Sequence, residues 1–262
     1  MYYVPRTLFS IDTNAKTVKG HKYGVKTAVL YLAPARLAFD ALGIEGSMCA
    51  MSELAQCEGP CLNRAGRGQF NAIQQARLNK TVFFLLDRVG FMGQLAGEIA
   101  EFVRKTLGEG FTPVVRLNGT QDHRWENEPV EIDGVTYPNL MSLFPDVQFY
   151  DYTKLPNRKN LPANYDLTFS YSGVPEFRPY AEQALAAGLR VAVVFRSKAE
   201  IPARFLGVEV VDGDDSDLRP YDPAGVVVAL YAKGPAKKDR SGFVVDAVPA
   251  AQAAPVIWLN AA

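Results

Sequence analysis

The sequence predicts an α/β fold, a partial or irregular (β/α) barrel with mostly parallel strands, and three observations lead there. Short apolar segments of strand length alternate with helical or long polar connections, the pattern of parallel pairing through right-handed crossovers. About seven such strands can be counted, close to the eight of a full barrel. The chain has 262 residues, 48% hydrophobic and 21% charged, enough for one domain of that size class. An open doubly wound sheet is the alternative architecture.

The first strand is read at Thr27–Leu32, ending at Ala33-Pro34, with a short helix near Ala35–Leu42. A cysteine-bearing loop, residues 46–68, comes next. Asn71–Arg88 and Phe91–Leu107 carry apolar residues at helical spacing, and Gly90 is read as the break between them. Pro113–Leu117 is a strand, Leu140–Phe144 a short helix, and Val147–Tyr150 and Asp166–Ser170 are strands. Pro179–Ala187 forms a helix closed by Gly188. Arg190–Phe195 is a strand too apolar on both faces for an exposed edge. Val208–Val211 and Val226–Tyr231 complete the set. Residues 1–262 read as one domain, whose Ala/Pro-rich end, 246–262, is expected to pack weakly.

No apolar run reaches membrane-spanning length, so no membrane partner is expected. The N-terminal segment has no apolar core of signal-peptide length and carries Asp12, which predicts a cytoplasmic protein. Formal net charge is zero, against strong nonspecific nucleic-acid binding by the whole chain. The charge is uneven: residues 1–80 hold ten Lys or Arg against five Asp or Glu. This excess, in which Lys16, Lys19, Lys22, Lys26, Arg64 and Arg67 are prominent, is either a solvated face or an anion site beside the cysteine loop.

All three cysteines of the protein, Cys49, Cys57 and Cys61, fall in a single C-x7-C-x3-C segment. Clustered thiols in a reducing compartment point to metal ligation rather than disulfides. Gly59-Pro60 turns the chain so that Cys57 and Cys61 can reach one centre. Structural zinc needs four protein ligands, and only His21 and His123, both outside the loop, could complete Cys3His. A [4Fe–4S] cluster on three cysteines leaves one iron for a small ligand or a distant Asp or His, so the iron–sulfur cluster is the expected cofactor and zinc the alternative.

Polar residues gather after the strands, where α/β folds bind ligands. Asn118, Asp151, Lys154, Arg196 and Asp212 are the candidates for a substrate side, if the protein is an enzyme. Arg64 and Arg67, the latter in a Gly66-Arg67-Gly68 turn before a helix, are candidates to bind the anionic part of a cofactor. His123 could carry protons or serve as fourth ligand. Asp212–Asp217 is an acidic loop that could take Mg²⁺ or Ca²⁺ but lacks EF-hand spacing, and a turn or cap is the simpler reading.

Three thiolates after the first strand of a barrel resemble the radical S-adenosylmethionine superfamily, although the usual C-x3-C-x2-C spacing is shorter. That resemblance implies S-adenosylmethionine as a possible cofactor. The chain also resembles the phage family called gene product eighty-eight. The likeness lies in Asn14-Ala15-Lys16-Thr17, Tyr31-Leu32-Ala33-Pro34-Ala35, the cysteines, Ala65-Gly66-Arg67-Gly68, Arg116–Thr120, Phe144–Lys154, Asp212-Gly213-Asp214 and Ser241–Val244. It implies a phage-encoded protein working in the bacterial cytosol and no established reaction. Two functions follow as expectations: an iron–sulfur protein doing radical or redox chemistry, or a zinc-stabilised module contacting nucleic acid or a host protein.

Overall fold

The structure is a computed structural model and describes residues 2–13 and 15–246. The weakly packed tail expected from the sequence lies almost wholly outside the described residues. Along the chain run β1 (Phe9–Ile11), α1 (Ala15–Val18), β2 (Val25–Leu30), α2 (Leu37–Leu42), α3 (Asn71–Leu86), α4 (Arg88–Gly108) and β3 (Thr112–Arg116). They are followed by β4 (Val130–Ile132), β5 (Val135–Tyr137), α5 (Leu140–Leu143), β6 (Gln148–Thr153), β7 (Tyr165–Ser170), α6 (Arg178–Ala186) and β8 (Arg190–Phe195). The last are β9 (Arg204–Phe205), β10 (Val208–Asp212) and β11 (Val227–Tyr231).

One nine-stranded sheet has the order β1-β2-β3-β6-β7-β8-β11-β10-β9. From β2 to β10 every neighbouring pair is parallel, and only the edge strands β1 and β9 run antiparallel. The α/β class and the mostly parallel pairing hold, and the winding is barrel-like, since β2, β3, β6, β7 and β8 add in sequence order. Among the described residues the sheet does not close. It ends on the short antiparallel strands β1 and β9, which cap the edges instead of pairing with each other.

The two faces differ in chemistry and in what covers them. One face carries Ala28, Leu30, Val115, Phe149, Leu167, Phe169, Val191, Val193 and Val227. It is covered by Phe84, Phe91, Leu95 and Ile99 of α3 and α4, and by Phe177, Ala181 and Ala184 at α6. Burying each large apolar side chain there contributes about 1.5–3 kcal/mol. The other face mixes Arg116, Tyr150, Tyr152, Asp166, Thr168 and Arg190 with buried apolar residues, among them Val25, Val29, Val114, Ala192 and Val228. It is covered by the segment 216–222, where Asp217 pairs with Arg116 at 2.8 Å and Leu218 packs on Val25, Val114 and Tyr150.

Two local details depart from the sequence reading. The helical break lies at Asp87 rather than Gly90. Asp87 leaves helical geometry and its carboxylate accepts the Gly90 N–H at 2.9 Å, so Gly90 sits inside the first turn of α4. The hairpin β4–β5 was not expected, although Asp133-Gly134, with φ of 51° and 77°, is a standard two-residue turn signal.

Asp151 on β6 faces the helical side and is fully buried. It accepts the Asn118 N–H at 2.6 Å and the Tyr165 hydroxyl at 2.7 Å, joining β6 to β7 and to the loop after β3. Burial pushes its carboxyl up to about 7, against these two hydrogen bonds. An unfolded chain loses this proton near ~4. The native state therefore holds the extra proton from about pH 4 to 7, and the stability due to this group falls as pH rises through that window. Asp151→Asn should flatten the fall: urea unfolding near pH ~5 and ~8 should show the wild type losing up to about 2.5 kcal/mol that the variant keeps.

Candidate functional site

Because the strands from β2 to β10 are parallel, their carboxyl ends share one edge of the sheet, and the cysteine loop is built there. The segment leaving β2 is clamped first. Leu32 N–H donates to Gln121 Oε1 at 3.1 Å and Ala33 N–H to Thr81 Oγ1 at 2.8 Å. Ala35 then takes a left-handed conformation with φ of 50°, a strained choice for a residue with a Cβ. The strain aims both of its backbone groups: its N–H donates to Cys49 Sγ at 3.3 Å and its carbonyl accepts the Met48 N–H at 2.9 Å.

The rest of the loop is fixed by similar contacts. Ala55 is buried and its carbonyl accepts the Ser172 hydroxyl at 2.8 Å, which lays the loop across the end of β7. Cys57 packs against the core beneath α6. Cys61 caps a 3-10 turn over Leu62–Arg64 and receives the Asn63 N–H on Sγ at 3.4 Å. Asn63 is held in turn by Arg77, whose Nη1 donates to its carbonyl at 2.9 Å and to Oδ1 at 2.6 Å, and by Gln74. A Cβ at Gly68 would stand 2.6 Å from the Asn63 carbonyl oxygen. The glycine of the predicted anion turn thus allows close packing, while Arg67 is exposed.

Across from the cysteines stand Asp122 and Lys154. Cys49 and Asp122 pair as a parallel β-bridge, with Asp122 N–H donating to the Met48 carbonyl at 2.9 Å. Asp122 Oδ2 accepts the Lys154 backbone N–H at 2.7 Å. Lys154 Nζ donates to the carbonyl and hydroxyl of Ser170, both at 3.0 Å, and lies over the rings of Phe243 and Phe177. No ion pair forms on this amine among the described residues.

Burial dominates the electrostatics. It pushes the Cys49 thiol up to about 12, against the Ala35 N–H, with Asp122 adding to the rise. Cys57 and Cys61 also rise through burial; Lys154 pulls both down, as do the Asn63 N–H and Arg77 for Cys61. Lys154 is lowered by burial and raised by Cys57, Asp122, Cys49 and Cys61 in that order. These mutual effects place all three thiols, Asp122 and Lys154 within one electrostatic neighbourhood. The cysteines are free, and among the described residues no group of three or more His, Cys, Asp or Glu is gathered as the ligands of a metal ion would be.

The other expected residues divide. Lys154 reaches the cysteine site. Asn118 and Asp151 lie one layer behind it: Asn118 Oδ1 accepts from His123 N–H and Trp125 Nε1, so both residues hold the loop that carries Asp122. Arg196 pairs with Asp246 at 2.7 Å, and Asp212 accepts the Asp214 N–H at 2.7 Å; among the described residues no hydrogen bond or ion pair joins either to the cysteines. His123 pairs with Glu128 at 2.6 Å against Phe84 and Trp125, and His21 pairs with Asp12 at 2.8 Å; among the described residues no hydrogen bond joins either ring to a cysteine.

The acidic loop and the N-terminal lysines neutralise each other. Lys22 pairs with Asp215 at 2.9 Å, Lys19 donates to the Asp214 carbonyl, Lys233 pairs with Asp214 at 2.6 Å, and Lys26 pairs with Glu109. Four exposed cations beside the cysteine loop, Arg64, Arg67, Lys237 and Lys238, have no ion pair among the described residues. The turns that carry them touch: a Cβ at Gly234 would meet the Ala65 Cβ at 3.0 Å. Leu62 and Phe70 are 60% and 56% exposed on the same stretch. Sequence reasoning did not assign Arg77 to the cysteine loop, and it placed Asp122 in a polar cluster after the Asn118 turn without giving it a role.

An open, singly wound α/β sheet with three thiols at the carboxyl ends of its strands is the class these features define. Residues 8–247 match the family described as Gene product 88, and the chain belongs to that family. No curated protein and no solved structure matched. The described helices include none long and apolar enough to cross a membrane.

Thr81→Val tests the clamp that sets Ala35. It removes the acceptor of a buried N–H at nearly constant volume, and should cost about 1–3 kcal/mol in chemical denaturation.

Proposed function

We propose that this protein is an iron–sulfur protein in which Cys49, Cys57 and Cys61 hold one [4Fe–4S] cluster at the strand ends. The observation that carries this reading is the Lys154 amine, which donates to Ser170, lies over Phe177 and Phe243 and has no ion pair among the described residues, in the neighbourhood of three thiols whose pKa values burial raises. A buried cation without an anion is costly. Three thiolates on an oxidised four-iron core would carry about one net negative charge and supply the missing partner. The two backbone N–H groups aimed at Cys49 and Cys61 support the same reading, because donors to sulfur stabilise bound thiolate and tune a cluster.

Ligand count favours a cluster over a single ion: structural zinc takes four protein ligands, whereas a four-iron cluster can be held by three thiolates. When bound, the cluster would supply one-electron chemistry. The chain's own residues would orient it through the Ala35 and Asn63 N–H groups and balance its charge with Lys154, while Phe243 and Phe177 shield that amine from water.

Reconstitution without oxygen should give about four irons and four sulfides per chain, lost together in the triple Cys49→Ala, Cys57→Ala, Cys61→Ala variant; one zinc and no sulfide would sink the reading. Lys154→Met should keep the iron and lower the reduction potential by roughly tens of millivolts. Formation of 5′-deoxyadenosine from S-adenosylmethionine on reduction would extend the reading to radical chemistry.

A second reading rests on the four free cations. Arg64, Arg67, Lys237 and Lys238, with Leu62 and Phe70, suit a polyanionic partner such as nucleic acid, with the cysteine site as a zinc clip. It predicts salt-sensitive binding of an oligonucleotide whose logarithmic salt slope falls by about one for each of these residues changed to Ala.

A further inference from the structure

We propose that Asp122 is the fourth ligand of the cysteine site, so that the centre is a closed Cys3Asp set with no iron left open to a small molecule. The inference rests on the cluster reading above and deepens it.

Four observations single out this carboxylate. Asp122 is the bridge partner of Cys49, and in-register neighbours on parallel strands send their side chains to the same side, about 5 Å apart at the backbone. Its orientation is fixed, since Oδ2 accepts the Lys154 N–H at 2.7 Å. Its other oxygen, Oδ1, is buried and makes no well-aligned hydrogen bond, with only the Thr153 hydroxyl close enough to help lower the carboxyl's pKa. A buried acceptor without a well-aligned donor is costly, and metal coordination would satisfy it. The carboxylate also sits in the field of the thiols, raising those of both Cys49 and Cys57.

Competing ligands are engaged elsewhere. Glu58 accepts the Ser52 hydroxyl at 2.7 Å. Glu128 binds His123 and Arg88, Glu126 is paired with Arg158, and His21 is held by Asp12. A carboxylate on the fourth iron brings the net charge of an oxidised centre to about minus two. Lys154, which feels Asp122 directly after Cys57 among the groups that raise it, answers that charge. It also holds the ligand itself through its backbone N–H, so one residue supplies both the counter-charge and the tether.

The test reads the cluster by electron paramagnetic resonance after anaerobic reconstitution of the full chain, with cyanide and S-adenosylmethionine as probes of an open iron. Wild type should bind four irons and give a reduced-state signal that neither probe changes. Asp122→Ala should keep the three cysteines, acquire a cyanide-dependent signal, and fall to a three-iron centre on mild oxidation. Asp122→Cys should restore four irons and insensitivity to cyanide, with a signal distinct from the wild type. An equal response to cyanide in wild type and Asp122→Ala overturns Asp122 as a ligand and leaves the three-cysteine reading intact. Wild type that takes up no iron overturns the cluster reading itself, and this inference with it. If Asp122→Ala does not fold, Asp122→Cys decides: a signal identical to wild type overturns the assignment, and a changed signal on four irons supports it.

Discussion

A single buried carboxylate sets the geometry on which the strand-end site depends. Asp151 joins β6 to β7 through Tyr165 and fixes the backbone of Asn118 where the chain leaves β3. Asn118 then spends its side chain on His123 and Trp125, closing the loop over residues 118–125 into one conformation. Gly119 fits there because a Cβ would lie 2.5 Å from the Tyr31 ring and 2.6 Å from the Leu30 carbonyl. Asp122 rides on this loop, so its position beside Cys49 is inherited from a hydrogen bond made in the core.

The same logic explains why the region after β2 tolerates strain. Ala35 is forced into a left-handed conformation by clamps on both sides, the Gln121 and Thr81 contacts before it and the Met48 contact after it. Each clamp satisfies a backbone group that burial would otherwise leave unpaired. What the molecule gains is direction: the Ala35 N–H points at sulfur. Asn63 repeats the device at Cys61 with help from Arg77 and Gln74. Two thiols are thus served by amides that regular secondary structure would have consumed.

Much of this was legible in the sequence, and the limits have physical causes. The apolar strands from β2 to β11, the long helices and the Gly188 stop follow from local patterning, which is strong when both faces or one stripe must be buried. Clustering in one loop marked the cysteines, and Lys154 was found because strand ends collect ligands. Closure into a barrel was not legible, because it depends on whether the edge strands meet. The short edges β1 and β9 carry too few residues for periodicity to register. Arg196 and Asp212 satisfied the same strand-end rule as Lys154, yet one is paired with Asp246 and the other lies beyond β11. Position along a strand is a local property, whereas position across a sheet is set by strand order.

Strand order also explains why the basic rim and the acidic loop have such different fates. The N-terminal lysines and the loop over Asp212–Asp217 lie far apart in the chain but meet on the polar face of the sheet, where Asp215, Asp214 and Glu109 absorb Lys22, Lys19, Lys233 and Lys26. Two cations of the unevenly charged first eighty residues, Lys22 and Lys26, are thus paired with acids from later in the chain. Arg64, Arg67, Lys237 and Lys238 lie around the cysteine loop, exposed and without an ion pair among the described residues. A centre carrying net negative charge at this edge would be surrounded by positive potential, which lowers the cost of holding that charge close to solvent. Lys154 would balance that charge from beneath and the rim from outside, so two sets of cations unrelated in sequence would address the same place.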